Sequence, residues 1–356
     1  MKIIYENSVF SIQRAGGASM YWYELIRRFK EEDNIIYYEL KNNNIFSKNL
    51  HIKSNIETNL PIRIIRHLPF LKKITDKSIL HSCIYRVSLQ KNIINIITVH
   101  DFTYEYFMVG LPKKLHTLQK YFAIRNADGI ICVSENTKKD LIKFLPDVDQ
   151  SKIKVIYHGV SDEFFRLENP VFNLIGNFPE LENINYIIFV GDRSKYKNFD
   201  IVIEVMKQLK DFKLVVVGGK NFTKEEEVIL SEINKRIIHL KGLDSNKLNV
   251  LYNNAFCMLY PSSYEGFGIP VLEAMKSGCP VISTKMSSIP EVAGEAGLLV
   301  NEINVENFIL EIVKLKDVSF RNEIIEKGLI QSGKFSWDKC FSDTFEFYNK
   351  IWKKYE

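Results

Sequence analysis

Short apolar runs that end at glycine, histidine or serine recur along this chain, and stretches with helical spacing separate them. In the first half, Ile93–Val99 runs into His100, GIICV (129–133) into Ser134, and IKVIY (153–157) into His158-Gly159. In the second half, YIIFV (186–190) runs into Gly191 and KLVVV (213–217) into Gly218-Gly219. RIIHL (236–240), AFCML (255–259) and PVIS (280–283) follow. Apolar runs this short, bounded by turn residues, read as strands buried on both faces. Strands alternating with helices make an α/β chain with parallel sheets. KIIY (2–5) is the first strand, and Ala18 to Lys30 is a helix with Tyr21, Leu25 and Phe29 on one face. Residues 41–80 are the least legible, offering only a short basic helix around Arg63 to Lys73.

The same alternation in both halves predicts two Rossmann-like, doubly wound domains facing one cleft. A domain over 1–165 and a second over 184–335 would be joined by a linker, 166–183, which carries Pro170, Gly176 and Pro179. The last stretch, 336–356, reads as an amphipathic helix. A length of 356 residues fits two domains, and 46% hydrophobic residues suffice for two cores.

The formal charge is only +5, with basic residues spread along the chain, which argues against nucleic acid as a partner. Five cysteines with no C-x-x-C pair give no disulfide framework and no zinc site, and point to a reducing, cytoplasmic setting. MKIIYENSVF meets Glu6 and Asn7 too soon for a signal peptide, and no apolar run approaches a membrane span. The helix from Lys113 to Arg125 sets Lys113, Lys114, Lys120 and Arg125 beside Leu115, Leu118, Tyr121 and Phe122. Such a helix either packs its apolar side inward or makes peripheral contact with an anionic membrane face.

The densest chemistry lies in 255–300. Two carboxylates, Glu265 and Glu273, flank Gly266-Phe267-Gly268-Ile269, and Pro270 suits the first turn of a helix. The glycines let a ligand approach the backbone, and the helix N-terminus favours a phosphate. A carboxylate one turn inside can accept two hydrogen bonds from a sugar cis-diol. Gly16-Gly17, before the first long helix, could present N–H groups to a phosphate from the other half. Arg193 and Lys197, four apart after Gly191, could clamp a diphosphate. No G-x-G-x-x-G follows a strand, which counts against a nicotinamide or flavin enzyme. Asp147-Val-Asp149 sits beside Pro146 between a helix and a strand, where Asp is a turn residue, and is not read as a metal site.

The wording EGFGIPVLEAM with its E-x7-E spacing, followed by GCPVIST and SSIPEVAGEAGLLV, resembles the retaining glycosyltransferases of family 4. HSCIYR, VHDFTYE and GDRSKYKNF resemble the mannosyltransferase-like branch that builds bacterial surface polysaccharides. The resemblance implies a GT-B fold whose last helix crosses back to the first domain. It implies metal-independent transfer of a hexose, with retention, from a nucleotide diphosphate sugar to a hydroxyl of a glycan or lipid-linked glycan. GDP-mannose is the donor it favours, with no other cofactor. By the same resemblance His100 approaches the donor sugar and Arg193 and Lys197 neutralise the leaving diphosphate. Glu265 and the 266–269 backbone then hold the sugar hydroxyls, and Glu273 holds the ribose. His158 stands where many relatives carry Asn, and His81, Ser82 and Ser134 are further candidates. A UDP-sugar transferase, a UDP-sugar epimerase of the same fold and a silent nucleotide-sugar binder are the alternatives.

Overall fold

A computed structural model of the chain describes residues 1–30 and 34–356. It divides into two compact units, Met1–Gly159 with Trp337–Glu356, and Val160–Ser336.

The first unit is built on a seven-stranded parallel sheet. Its strands are β1 (Ile3–Glu6), β2 (Ile35–Glu39), β3 (Ser54–Ile56), β4 (Ser78–Ser82), β5 (Ile93–Val99), β6 (Gly129–Cys132) and β7 (Ile153–Val155). They lie in the order β3-β2-β1-β4-β5-β6-β7. β5 is buried along its whole length, as its apolar run requires. Of its two polar residues, Thr98 meets Tyr21 and His81, and Asn95 is satisfied by the backbone of Ser88, accepting from N at 2.8 Å and donating to O at 3.0 Å. The Arg63–Lys73 region forms only a short helix, Ile62–Ile65.

β4 is the central strand that the apolar pattern does not announce, because Ser78, His81 and Ser82 interrupt it. All three are buried. His81 lies between Tyr348 Oη on Nδ1 at 2.5 Å and Thr98 Oγ1 on Nε2 at 2.9 Å. Tyr348 continues to Tyr5 at 2.7 Å, and Thr98 to Tyr21 at 2.9 Å. Burial pushes the His81 pKa down to about 3, so the imidazole is a neutral core group. His81 and Ser82 are thus interior residues of the sheet rather than ligand-facing ones.

Tyr348 comes from the C-terminal helix Trp337–Lys353, which belongs to this unit. The helix packs so closely that a Cβ at Gly129 would lie 3.0 Å from the Phe347 ring and 3.2 Å from Ile351. A glycine therefore opens β6.

At the carboxyl ends of β1 and β4, Arg86 is wholly buried between two carboxylates. Nη1 meets Glu6 Oε1 and Glu57 Oε2, and Nη2 meets Glu57 Oε1, all at 2.7 Å. Nε and Nη2 also donate to the Leu68 and Pro69 carbonyls, both at 3.1 Å.

The second unit carries six parallel strands. These are β8 (Tyr186–Val190), β9 (Lys213–Val217), β10 (Ile237–Leu240), β11 (Cys257–Tyr260), β12 (Val281–Thr284) and β13 (Leu298–Val300). They are ordered β10-β9-β8-β11-β12-β13. Ile187 and Phe189 of β8, Leu214 and Val216 of β9, and Phe199, Val202 and Met206 of the helix Phe199–Gln208 fill one side of its core.

The stretch 166–183, expected as a linker, is built into this unit. Pro170 opens a helix, Pro170–Asn177, instead of breaking one. Leu174, Phe178 and Leu181 from this stretch are buried, and Asn254 Nδ2 donates to the Pro170 carbonyl at 3.0 Å. The prolines and glycine that suggest a linker hide this helical spacing.

In each sheet the winding reverses once, between β1 and β4 and between β8 and β11. Open α/β sheets bind ligands at the carboxyl ends beside such a reversal. Among the described residues no helix is long and apolar enough to cross a membrane. The five cysteines are free and buried.

Candidate functional site

The loops after β8 and β11 of the second unit meet at that reversal. Gly191, at φ 135°, ends β8 in a conformation closed to other residues. A 3₁₀ turn, Lys195–Lys197, follows, and Asn198 takes a left-handed conformation at φ 49°. Its amide donates to the Pro261 carbonyl and to Ser263 Oγ, both at 2.7 Å. Ser263 N donates to the Tyr196 carbonyl at 2.7 Å and closes the junction. These bonds hold the cation-bearing loop against the carboxylate-bearing loop.

Across the junction Lys197 Nζ lies 2.6 Å from Glu265 Oε1 and 2.9 Å from Tyr260 Oη. Lys197 is buried, and burial opposes its charge. The Glu265 carboxylate outweighs that penalty and holds the ammonium pKa above its ordinary value. Burial, with Glu265 beside it, keeps the Tyr260 phenol protonated. The result is a fixed ammonium–carboxylate pair on the β8/β11 reversal.

Arg193 is drawn elsewhere. Its Nε donates to Glu226 Oε1 at 2.6 Å, and Nη2 to the Lys220 and Asn221 carbonyls at 2.8 and 3.1 Å. Glu226 also closes the capping box of the helix Lys224–Leu230. Arg193 Nη1 is buried without a hydrogen-bond partner. A Cβ on Gly219, at φ 69°, would come within 2.6 Å of it.

Glu265 to Gly268 form the approach to the helix Ile269–Lys276. Gly268, at φ 104°, starts the helix in a left-handed conformation and no side chain caps it. The loop is pinned from below by two serines after β12. Ser287 Oγ donates to the Glu265 carbonyl at 2.6 Å and accepts from Glu265 N at 3.2 Å. Ser288 Oγ lies 2.9 Å from the carbonyls of Glu265 and Phe267. Phe267 itself is buried, so only its backbone and that of its glycine neighbours can serve a ligand.

Glu273 is one turn into the helix. Among the described residues its carboxylate has one side-chain donor, Tyr252, whose hydroxyl lies 3.4 Å from Oε2. Burial raises its pKa to about 7, with the tyrosine working in the opposite direction. A carboxylate so poor in donors is prepared to accept hydroxyls.

The remaining expected residues belong to the first unit. Gly16 and Gly17 are exposed at the start of the helix Gly17–Ile26, after a short helix, Val9–Ile12, that follows β1. His100 follows β5 with its ring edge-on to Tyr21 at 5.3 Å. Burial lowers its pKa to about 4, and Nε2, closed to solvent, has no hydrogen-bond partner. His158 is buried among the rings of Tyr21, His100 and Trp337. Ser134 caps the helix Glu135–Phe144 by accepting from Thr137 N.

Asp147 pairs with Arg125 at 2.9 Å, and Asp149 caps the turn Gln150–Lys152. Among the described residues no group of three or more His, Cys, Asp or Glu could hold a metal ion. The structure therefore joins Lys197 to Glu265 and sends Arg193 to Glu226. It adds Tyr260, Ser287 and Ser288, which sequence reasoning missed. The strand-end position of Tyr260 and the Ser pair two residues beyond a strand were the available signals.

Two family models cover most of the chain. "Glycosyltransferase Family 4" matches residues 15–164 and "Glycosyl transferases group 1" matches 173–329. O-antigen chain mannosyltransferase B of Escherichia coli is 31% identical over 47% of this chain and 46% of its own length. The chain thus matches about half of that relative. O-antigen chain mannosyltransferase RfbU of Salmonella typhimurium is 29% identical over 71% of this chain and 70% of its own. The solved structure of Anabaena Alr3699/HepE in complex with UDP-glucose superposes with a TM-score of 0.75, covering 98% of this chain and 100% of that one at 17% identity. That likeness fixes the GT-B fold. Two parallel sheets of this winding, each half matched by its own model, identify the chain as a family 4 glycosyltransferase related to the O-antigen mannosyltransferases.

Proposed function

We propose that this chain moves mannose, with retention and without a metal, from GDP-mannose to a hydroxyl of a growing surface glycan such as O-antigen or capsule. The Lys197–Glu265 pair at 2.6 Å, on the β8/β11 reversal, is the observation that carries the reading. The choice of mannose is supported by the names of the two O-antigen relatives.

In this reading Lys197 and Arg193 Nη1 meet the diphosphate, and Glu265 turns from the ammonium to the sugar hydroxyls. Stabilising the leaving group where charge develops is how a fixed cation accelerates such a transfer. At the start of Ile269–Lys276 Pro270 carries no N–H and Val271 N donates to the Gly268 carbonyl, which leaves the Ile269 N–H for a phosphate oxygen. Glu273 accepts the ribose hydroxyls. Gly16-Gly17 approaches the diphosphate and His100 contacts the sugar as a neutral imidazole. Front-face retention draws its base from the leaving phosphate oxygen, so no side chain is assigned that role.

The test is thermal stabilisation of the protein by GDP, UDP, ADP, CMP and their common sugar conjugates. A ligand that binds only the folded state raises Tm by mass action. GDP and GDP-mannose are expected to raise Tm, and Glu273→Ala to abolish the shift. A shift with UDP compounds alone overturns the donor, and no shift with any compound overturns the enzyme reading.

Glu273 also sets a pH dependence. Its free pKa of about 7 must fall when ribose hydroxyls donate to it, so binding releases a proton below pH 7. GDP affinity is expected to weaken by up to about tenfold per pH unit below 7 and to level off above it. Titration calorimetry from pH 5.5 to 8.5 measures this, and Glu273→Gln flattens the profile.

A further inference from the structure

Between β12 and the helix Ile289–Ala293 the chain makes a tight turn beneath the Glu265 loop. Ile289 N donates to the Met286 carbonyl at 3.2 Å, with Ser287 and Ser288 as the two central residues. Ser287 takes φ 56°, and Ser288 follows at φ −81° and ψ −8°. Positive φ followed by these angles is the pattern of a type II′ turn, whose first central position suits glycine. Asparagine enters positive φ readily, as Asn198 does in the same unit. Serine enters it at a cost in backbone strain.

The turn by itself would be better served by glycine, and what glycine lacks is the hydroxyl. Ser287 Oγ donates to the Glu265 carbonyl at 2.6 Å and accepts from Glu265 N at 3.2 Å. One hydroxyl thus fixes the peptide groups on both sides of Glu265. Without it Ser288 Oγ still holds the carbonyl at 2.9 Å, but among the described residues the N–H has no second acceptor. Beyond Glu265 the chain passes through Gly266 and Gly268, whose backbone freedom would then reach the carboxylate.

We propose that Ser287 is a positioning residue for Glu265, held in a strained turn because its hydroxyl fixes the backbone that carries this carboxylate. The inference rests on the proposed transfer, in which Glu265 leaves Lys197 for hydroxyls of the donor sugar. The side chain then swings while its Cα stays in place. Placement matters at this point, since a displacement of about 1 Å near a reacting centre costs on the order of 10²-fold in rate.

The experiment compares Ser287→Gly, Ser287→Ala and Glu265→Ala by melting, by nucleotide affinity and by transfer from the sugar nucleotide that the unaltered protein uses. Both Ser287 variants lose the hydroxyl, and only glycine relieves the turn. Ser287→Gly is expected to melt about 2–4 °C above Ser287→Ala. Both are expected to transfer about 10–100-fold more slowly, so the better-melting variant gains no rate. Affinity for the free nucleoside diphosphate is expected to hold, because Glu273 is untouched. Equal melting of the two variants, normal transfer in either, or an affinity that falls as far as the rate overturns the proposal. A slowed Glu265→Ala beside normal Ser287 variants overturns the role of the serine alone. Normal transfer in Glu265→Ala overturns the sugar-binding role of Glu265, and the proposal with it.

Discussion

Lys197→Met is expected to lower turnover by on the order of 10²–10³-fold while leaving donor affinity within about tenfold. The ammonium is buried, oriented by Tyr260 at 2.9 Å and Glu265 at 2.6 Å, and cannot be replaced by solvent. In the free protein it is neutralised by Glu265, and giving up that carboxylate offsets much of its attraction for an intact donor. In the proposed reaction, charge grows on the diphosphate as the glycosidic bond breaks, and the ammonium would gain a stronger partner. An interaction realised mainly in the transition state appears in kcat rather than in binding. Methionine keeps the volume and leaves Glu265 with Tyr260 and water, so the loss of stability is small beside the loss of rate. Single-turnover kinetics at saturating donor, with Kd from calorimetry, separate the two effects. Undiminished turnover, or a Kd that rises as far as kcat falls, removes Lys197 from the chemistry. Lys197→Arg is not expected to restore activity, because a planar fork does not match the site of a compact ammonium between Tyr196 and Tyr260.

The two-sheet architecture was legible because its strands are plain apolar runs. Tyr186–Val190, Lys213–Val217 and Ile93–Val99 fall where the runs place them. β4 was hidden, since the polarity of His81 and Ser82 is met by Tyr348, Thr98 and Glu6, residues remote in sequence, and Ser78 donates to the Asp76 carbonyl. Periodicity cannot see a partner 267 residues away. β3 is a three-residue edge strand with exposed Asn55 and Ile56, too short to show a pattern. The helix Gly110–Arg125 was legible as a helix, but its orientation was not. A sequence shows that Lys120 and Leu118 lie on opposite sides, and only the buried Glu105 says which side faces in. The same holds for the site. Glu265, Gly268 and Glu273 announce themselves by spacing, whereas the Arg193–Glu226 pairing depends on how two separate loops meet.

Arg86→Met is expected to destabilise the first unit by about 3–5 kcal/mol, because it strands two carboxylates that are already out of water. Arg86 is wholly buried, and the charge it leaves behind has no route to solvent. Burial opposes the guanidinium charge, yet Glu6 and Glu57 together hold its pKa above the ordinary value. The two acids are not equivalent. Glu6 keeps hydroxyl donors from Ser8 and Ser82, the latter at 3.2 Å. Glu57 keeps only the Leu71 N–H at 2.8 Å once the fork is gone. Removing the worse-solvated carboxylate as well, in Glu57→Met/Arg86→Met, is therefore expected to recover at least about 1 kcal/mol relative to Arg86→Met alone. Urea unfolding followed by tryptophan fluorescence isolates the effect, since Trp22, Trp337 and Trp352 all lie in the first unit. A double variant less stable than the single one would mean that Glu57 supports the fold through contacts other than Arg86. A cost below about 1 kcal/mol for Arg86→Met would mean that water reaches the two carboxylates.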